Sequence, residues 1–349
     1  MNRDPALGEV IELNSFGVGS FLFSVQSTRT EKLESHISGL NENLRNIPGI
    51  NNIHIKPEPL TFKMLPDGEI KLSSFLTIEF EIDLSAGPHS LQDENNFIFY
   101  SRPFYDSVVT LIFPKFNSND PSSSIYRVRE YIKSYLKKPY SLEVVGPSPF
   151  HADFFVHKTN FFRVDIVKTR GYDKNNVHVK SSKPNEIVEE IFRELGDELN
   201  LFYLIRQCEK THIEYWRNVS EAVAKALRPV GFFSIGLVDQ FTWLRSSRLG
   251  HAMQKLAEFE AQSLSLPQII EQRFGDTYDA GGAYLISYNK KENKEFASFP
   301  TDSTQNLLKF VAEMRGRNAS TITSYVTIFL NVVLTTAVAV TLYLLGIKS

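Results

Sequence analysis

The first half of the chain combines short apolar runs with two amphipathic helical patterns. Val108–Phe113 is almost wholly apolar, which is typical of a central strand. Apolar residues recur at steps of three and four in Glu31–Ile47, and Asn119-Asp120-Pro121 precedes a second stretch of the same period. The other predicted strands are Val18–Gln26, Asn52–Lys56, Leu60–Leu65, Glu69–Leu84, Leu142–Val145, Phe150–His157, Phe161–Val167 and Val177–Lys180. Residues 1–182 are therefore predicted to form an α+β domain with a largely antiparallel sheet and helices.

The pattern changes at Ser181–Pro184, after which the apolar positions keep a helical period. Pro184–Leu227 is predicted as one long helix or as two that join near Glu209. Two further helices are predicted, over Phe232–Gln262 and Leu266–Phe274. A late strand is predicted over Ala283–Tyr288. We therefore expect a mostly helical region with a late strand over residues 183–302.

A single C-terminal transmembrane helix is predicted over Ser324–Ile347. No charged residue occurs from Asn318 to Ile347, and about 20 apolar residues span the hydrocarbon core of a bilayer. A juxtamembrane helix over residues 303–323 is expected to lead into it. Because only two residues follow Ile347 in this sequence, the arrangement expected is that of a tail-anchored protein.

Flanking charges predict how this helix is oriented. Lys309, Arg315 and Arg317 precede it and only Lys348 follows it. The positive-inside rule then places the soluble part in the cytoplasm and the C-terminus on the far side. The first residues contain no apolar run of the secretory type, and the single cysteine, Cys208, fits a reducing compartment.

The predicted membrane helix carries a polar face. Thr327, Asn331 and Thr335 recur every four residues, so they lie on one side of the helix. An amide side chain in lipid favours a partner on another helix, which predicts a homo-oligomer held together within the membrane. The alternative is that the threonines bond to their own backbone and Asn331 is merely tolerated. Formation of a pore would be a separate hypothesis that requires more than self-association.

Charge and composition limit the kinds of molecule that the soluble part is expected to bind. A net charge of −2 over 349 residues argues against a dedicated nucleic-acid binder, so no nucleic acid is expected. Arg129, Lys133, Lys137 and Lys138 form a basic stripe on the second predicted helix. The stripe is either a solvated face or a contact for an anionic ligand or lipid head groups.

Residues of chemical interest do not form a recognisable catalytic or metal site. His151, Asp153 and His157 share a strand face, but the outer two lie about 20 Å apart on a straight strand, so no metal is expected. Cys208 and His212 are four apart on a helix, where packing is favoured over a catalytic pair. Phe274–Gly282 is predicted as a loop, and Gly17-Val18-Gly19 lacks the third glycine of a dinucleotide fingerprint. No cofactor is expected.

These features favour a non-enzymatic protein. The leading hypothesis is a cytosolic domain that binds a partner or ligand and signals to a self-associating membrane helix. An example would be a membrane-perturbing effector of a bacterial defence or toxin system. The alternatives are a tail-anchored enzyme with an unrecognised active site, and a passive membrane adaptor.

Overall fold

The computed structural model describes residues 13–26, 33–58, 69–86, 95–104, 107–145, 149–227, 243–279, 283–294 and 299–313. The chain divides into two compact units. Unit 1 comprises Met1–Glu209 with Gln268–Phe296, and Unit 2 comprises Lys210–Pro267 with Ala297–Ser349. Helices α3 (Pro184–Leu227) and α4 (Trp243–Asp279) each contribute residues to both units.

Unit 1 is built on an eight-stranded sheet with the order β10-β11-β9-β1-β7-β6-β5-β3. Its described strand pairs are antiparallel except for β9 and β11, which are parallel. The strands are β1 Ser15–Gly19, β3 Ile50–Pro57, β5 Leu76–Asp83, β6 Asn96–Pro103, β7 Val108–Pro114, β9 Ala152–Lys158, β10 Arg163–Val167 and β11 Asp173–Val179.

A second sheet of three strands, in the order β4-β2-β8, contains the other described strands of Unit 1. They are β2 Phe21–Gln26, β4 Glu69–Lys71 and β8 Tyr140–Val144. Unit 1 also contains helices α1 (Leu33–Arg45), α2 (Ser123–Tyr135) and α5 (Ile286–Lys294). The prediction of an α+β fold with a large sheet and helices is therefore confirmed.

Alternation along the strands gives the large sheet two buried faces. Ile98 and Tyr100 of β6 belong to one core, in which the first half of α3 buries Ile191, Leu195 and Phe202. Phe97 and Phe99 of the same strand belong to the other core. That second core contains α1, α2 and the small sheet, and its residues include Leu40, Leu44, Val128, Ile132, Phe23 and Leu142.

Helix α2 packs closely over β1 because glycines occupy the face of that strand beneath the helix. A Cβ atom on Gly17 would lie 2.5 Å from the Pro121 carbonyl oxygen and 2.6 Å from Ser124 Oγ. These distances are far below van der Waals contact, so β1 and the start of α2 approach this closely only without a side chain at position 17.

Unit 2 is helical. Its described helices are the second part of α3, the first part of α4 and residues 301–313, here called α6. The core contains Val219, Ala222, Leu256, Phe259 and Leu308. Trp216 packs against Phe259 and Phe299 with ring centroids 5.1 Å apart in each case.

Several of the predicted element assignments differ from the structure. The predicted strand Val18–Gln26 is divided between β1 and β2, because the chain leaves the large sheet at the buried Ser20, where Phe21 N–H donates to Thr110 Oγ1 at 3.2 Å. Strand β6 was not predicted. The helix predicted over Leu266–Phe274 is part of the longer α4, which contains Pro267.

The late strand predicted over Ala283–Tyr288 is also wrong. Helix α5 begins at Ile286, and Leu285 and Tyr288 face the core three residues apart, which is a helical spacing. The described residues contain no helix long and apolar enough to cross a membrane. The predicted membrane helix, residues 324–347, lies outside them together with Arg315 and Arg317.

Candidate functional site

The candidate site is a groove on Unit 1 of about 190 Å³ between α3 and the end of α4. Its polar lining combines both signs of charge, because it includes Arg273 and two aspartates, Asp197 and Asp276. Arg273 Nη1 is 3.3 Å from Asp276 Oδ2. The remaining lining residues are Asn200, Leu201, Leu204 and Thr277. The lining thus presents one guanidinium group and two carboxylates, of which Asp276 is paired with Arg273.

The walls of the groove are fixed by neighbouring contacts. Asn200 is buried, and its side-chain oxygen accepts a hydrogen bond from Ser107 Oγ at 2.8 Å. Leu201 and Leu204 are buried in Unit 1. Walls held in this way lower the ordering cost for any ligand that would bind there.

Next to Asp197, Glu198 caps the start of α5. Its carboxylate accepts hydrogen bonds from the backbone N–H groups of Tyr284 at 2.9 Å and Leu285 at 2.7 Å. The Asn289 amide donates to the Glu198 carbonyl oxygen at 3.0 Å and to the Tyr278 hydroxyl at 2.7 Å. Burial raises the pKa of Glu198, and the two backbone N–H groups lower it in part. Because these N–H groups at the start of a helix have no partner within it, Glu198 acts as a structural cap.

A second polar network joins α5 to the turn between β10 and β11. The Tyr288 hydroxyl donates to Asp173 Oδ2 at 3.0 Å and lies 3.2 Å from Asn175 Oδ1. Lys168 Nζ lies 2.7 Å from Asp173 Oδ2 and 4.0 Å from the centre of the Tyr288 ring. Burial raises the pKa of Tyr288 well above its usual value, so the phenol stays protonated at neutral pH. It therefore serves as a hydrogen-bond donor rather than a base.

The backbone beside Tyr288 is unusual. Phe150 and His151 have φ values of 63° and 48°, in the left-handed region that side chains rarely adopt. The Phe150 ring stacks on Tyr288 at 4.6 Å and meets Phe202 edge-on at 4.7 Å. This burial of Phe150 stabilises the strained turn.

The basic stripe is only partly available for binding. Arg129 is paired with Glu130 at 2.8 Å and lies over the Tyr126 ring at 4.8 Å. Lys133, Lys137 and Lys138 are exposed, but α2 ends at Tyr135, so the last two follow the helix. Contact with an anionic ligand or lipid remains a prediction for these four residues.

The histidines and the aspartate considered for a metal have separate roles. Asp153 is buried and accepts a hydrogen bond from Ser122 N–H at 3.1 Å, next to the start of α2. His157 Nε2 is 3.1 Å from Asn176 Oδ1, and His151 is exposed near Tyr172. Among the described residues, no group of three or more His, Cys, Asp or Glu side chains is arranged to hold a metal.

Cys208 and His212 both lie on α3 and are buried. His212 Nε2 lies 2.7 Å from Ser263 Oγ, and its ring stacks on Phe259 at 4.6 Å. These contacts place His212 in the core of Unit 2. The loop predicted over Phe274–Gly282 is helical as far as Asp279, and residues 280–282 lie outside the described part.

The proposed self-association residues Thr327, Asn331 and Thr335 also lie outside the described residues. Comparisons with protein families, curated proteins and solved structures find no match to this chain. The site therefore has to be interpreted from its own geometry.

Sequence reasoning missed the groove and both polar networks. Their members come from segments far apart along the chain, such as Glu198 and Leu285, which are separated by 87 residues. No local motif marks such a pairing.

Proposed function

We propose that this chain is a single-pass membrane protein whose soluble part binds a ligand or protein partner and signals to a self-associating membrane helix. The observation that carries the proposal is the uncharged segment Asn318–Ile347, with Thr327, Asn331 and Thr335 on one face. Arg315 and Arg317 before it favour a cytoplasmic soluble part.

Two features of the structure support this proposal. The groove beside Arg273 offers the soluble part a place for a small ligand. Helix α6 is the last described helix before the predicted membrane segment. A self-associating helix attached to a ligand-binding domain suits an effector that perturbs a membrane, as in a bacterial defence or toxin system.

Substitution of Asn331 tests the proposal directly. Interhelical hydrogen bonds in membranes contribute roughly 0.6–2 kcal/mol, so Asn331→Leu is expected to weaken the association of the full-length chain about 3- to 30-fold. The measurement is chemical cross-linking of the chain in lipid vesicles over a series of protein-to-lipid ratios.

Two control variants make the result specific. Asn331→Gln keeps an amide and is expected to restore cross-linking, whereas Val332→Leu alters a neighbouring apolar side chain and is expected to have no effect. If Asn331→Leu associates as strongly as the wild-type chain, the polar face does not drive assembly and the proposal fails.

A further inference from the structure

Strand β10 forms one end of the eight-stranded sheet, and β11 is its only strand partner in the described part of the chain. All five residues of β10 pair with β11 without a register shift. The strand at the other end of the sheet, β3, is irregular. Its register shifts between Asn51 and His54, and Asn52 has a φ of 53°. Such an irregularity hinders the addition of a further strand, whereas the regular edge of β10 can accept one.

The two faces of β10 differ in character. One face packs against the core that contains the first half of α3, through three apolar side chains, Phe162, Val164 and Ile166. The other face carries Arg163 and Asp165, whose side chains are 63% and 39% exposed. Arg163 Nε lies 2.6 Å from Asp165 Oδ1, and His178 Nε2 of β11 lies 3.0 Å from Asp165 Oδ2. The edge of the sheet therefore presents apolar groups on one face and one charge of each sign on the other.

The sequence of β10 is complementary to itself in one register of an antiparallel pair. If Val164 lies opposite Val164 of a second copy, Arg163 of each copy lies opposite Asp165 of the other. Phe162 then lies opposite Ile166. Directly opposed residues on antiparallel strands stabilise a sheet when both are apolar or when their charges are opposite. Every opposed pair in this register meets one of these conditions.

Neighbouring registers lack this fit. A shift of one residue would place the apolar face of one copy against the charged face of the other. A shift of two residues would oppose either Arg163 to Arg163 or Asp165 to Asp165, and like charges in these positions are destabilising. The favoured register, continued beyond the strand, also brings Phe161 opposite Val167. These two apolar residues are 51% and 47% exposed in the single chain.

We propose that β10 pairs with β10 of a second copy of this chain, in an antiparallel arrangement centred on Val164. A two-fold contact of this kind uses the same residues on both copies, so it is complete with two chains. It joins the two eight-stranded sheets edge to edge. The contact lies within Unit 1 and goes beyond the proposed function, because it does not involve the membrane helix.

Disulfide cross-linking tests the proposed register. Opposed Cα atoms of antiparallel strands are about 4.5–5.5 Å apart, which is within reach of a disulfide. Val164→Cys in the full-length chain, reconstituted in phosphatidylcholine vesicles, is expected to form dimers roughly tenfold or more faster than Ile166→Cys. Ile166 is the matched control because it packs against the same core, but its two copies would be about 13 Å apart along the strands. The wild-type chain gives the background, since its only cysteine, Cys208, is buried.

Charge reversal provides a second test at exposed positions. Arg163→Glu, added to the Val164→Cys chain, opposes two acidic side chains and is expected to slow cross-linking about tenfold. Further addition of Asp165→Arg makes the opposed charges unlike again and is expected to restore the rate. Equal rates for Val164→Cys and Ile166→Cys, or no effect of Arg163→Glu, would overturn the β10 pair.

A separate variant distinguishes failure of the β10 pair from failure of the proposed function. Thr335→Cys reports contact between the predicted membrane helices. Dimers of Thr335→Cys without dimers of Val164→Cys would overturn the β10 pair and leave the proposed function intact. The reverse result would support the β10 pair and overturn self-association through the membrane helix.

Discussion

At the scale of single residues, His212 is expected to make the stability of Unit 2 depend on pH. Burial lowers its pKa below the usual value, because a charged imidazole loses its hydration inside the core. The unfolded chain then binds a proton more readily than the folded chain. The part of the free energy of unfolding that requires a neutral His212 is fully present above about pH 6.5. It is lost as the pH falls toward the lowered pKa of His212.

We therefore expect the urea midpoint of Unit 2 to fall between pH 7 and pH 5, and to fall less in His212→Gln. Tryptophan fluorescence can follow this transition because Trp216 and Trp243 both belong to Unit 2. His251→Gln is the control for the substitution itself, since it makes the same change at an exposed position on α4. An unchanged slope in His212→Gln would show that other groups control the acid response.

At the scale of elements, the contact between α2 and β1 depends on Gly17. Gly17→Ala would place a Cβ atom 2.5 Å from the Pro121 carbonyl oxygen, a backbone atom that cannot turn aside. Overpacking of this kind costs about 1–3 kcal/mol, so the free energy of unfolding should fall by that amount in urea titrations followed by circular dichroism. Gly171→Ala is the matched control, because a Cβ there meets no atom within 4 Å. Equal stability of the two variants would mean that α2 can shift away from β1 without loss.

The local pattern of apolar and polar residues predicted the elements whose conformation depends mainly on their own sequence. The apolar run at Val108–Phe113 is a fully buried strand, β7. The apolar run Phe97–Tyr100 carries the same signal and forms the centre of β6. By contrast, the break at Ser20 depends on Thr110, and the start of α5 depends on Glu198. Distant partners of this kind leave no trace in local periodicity, and the groove beside Arg273 was missed for the same reason.

At the scale of the whole molecule, the candidate groove and the segment predicted to span a membrane belong to different units. The groove and both polar networks belong to Unit 1, whereas α6 belongs to Unit 2. Helices α3 and α4 contribute residues to both units. In the proposed function, a ligand on Unit 1 acts on assembly through these two shared helices, because they connect the groove covalently to Unit 2.

Replacement of the membrane helix distinguishes this proposal from a membrane-attached enzyme or adaptor. We expect a chain whose residues 324–347 are exchanged for an unrelated leucine-rich helix to remain in the membrane fraction. Without the face formed by Asn331 it should lose any increase in membrane permeability that expression of the wild-type chain causes. An enzyme needs the helix only for attachment, so its effect would survive the exchange. Dye-uptake measurements on cells that express equal amounts of the two chains decide between these outcomes, and equal uptake above the level of cells without the protein would refute a working role for the native helix.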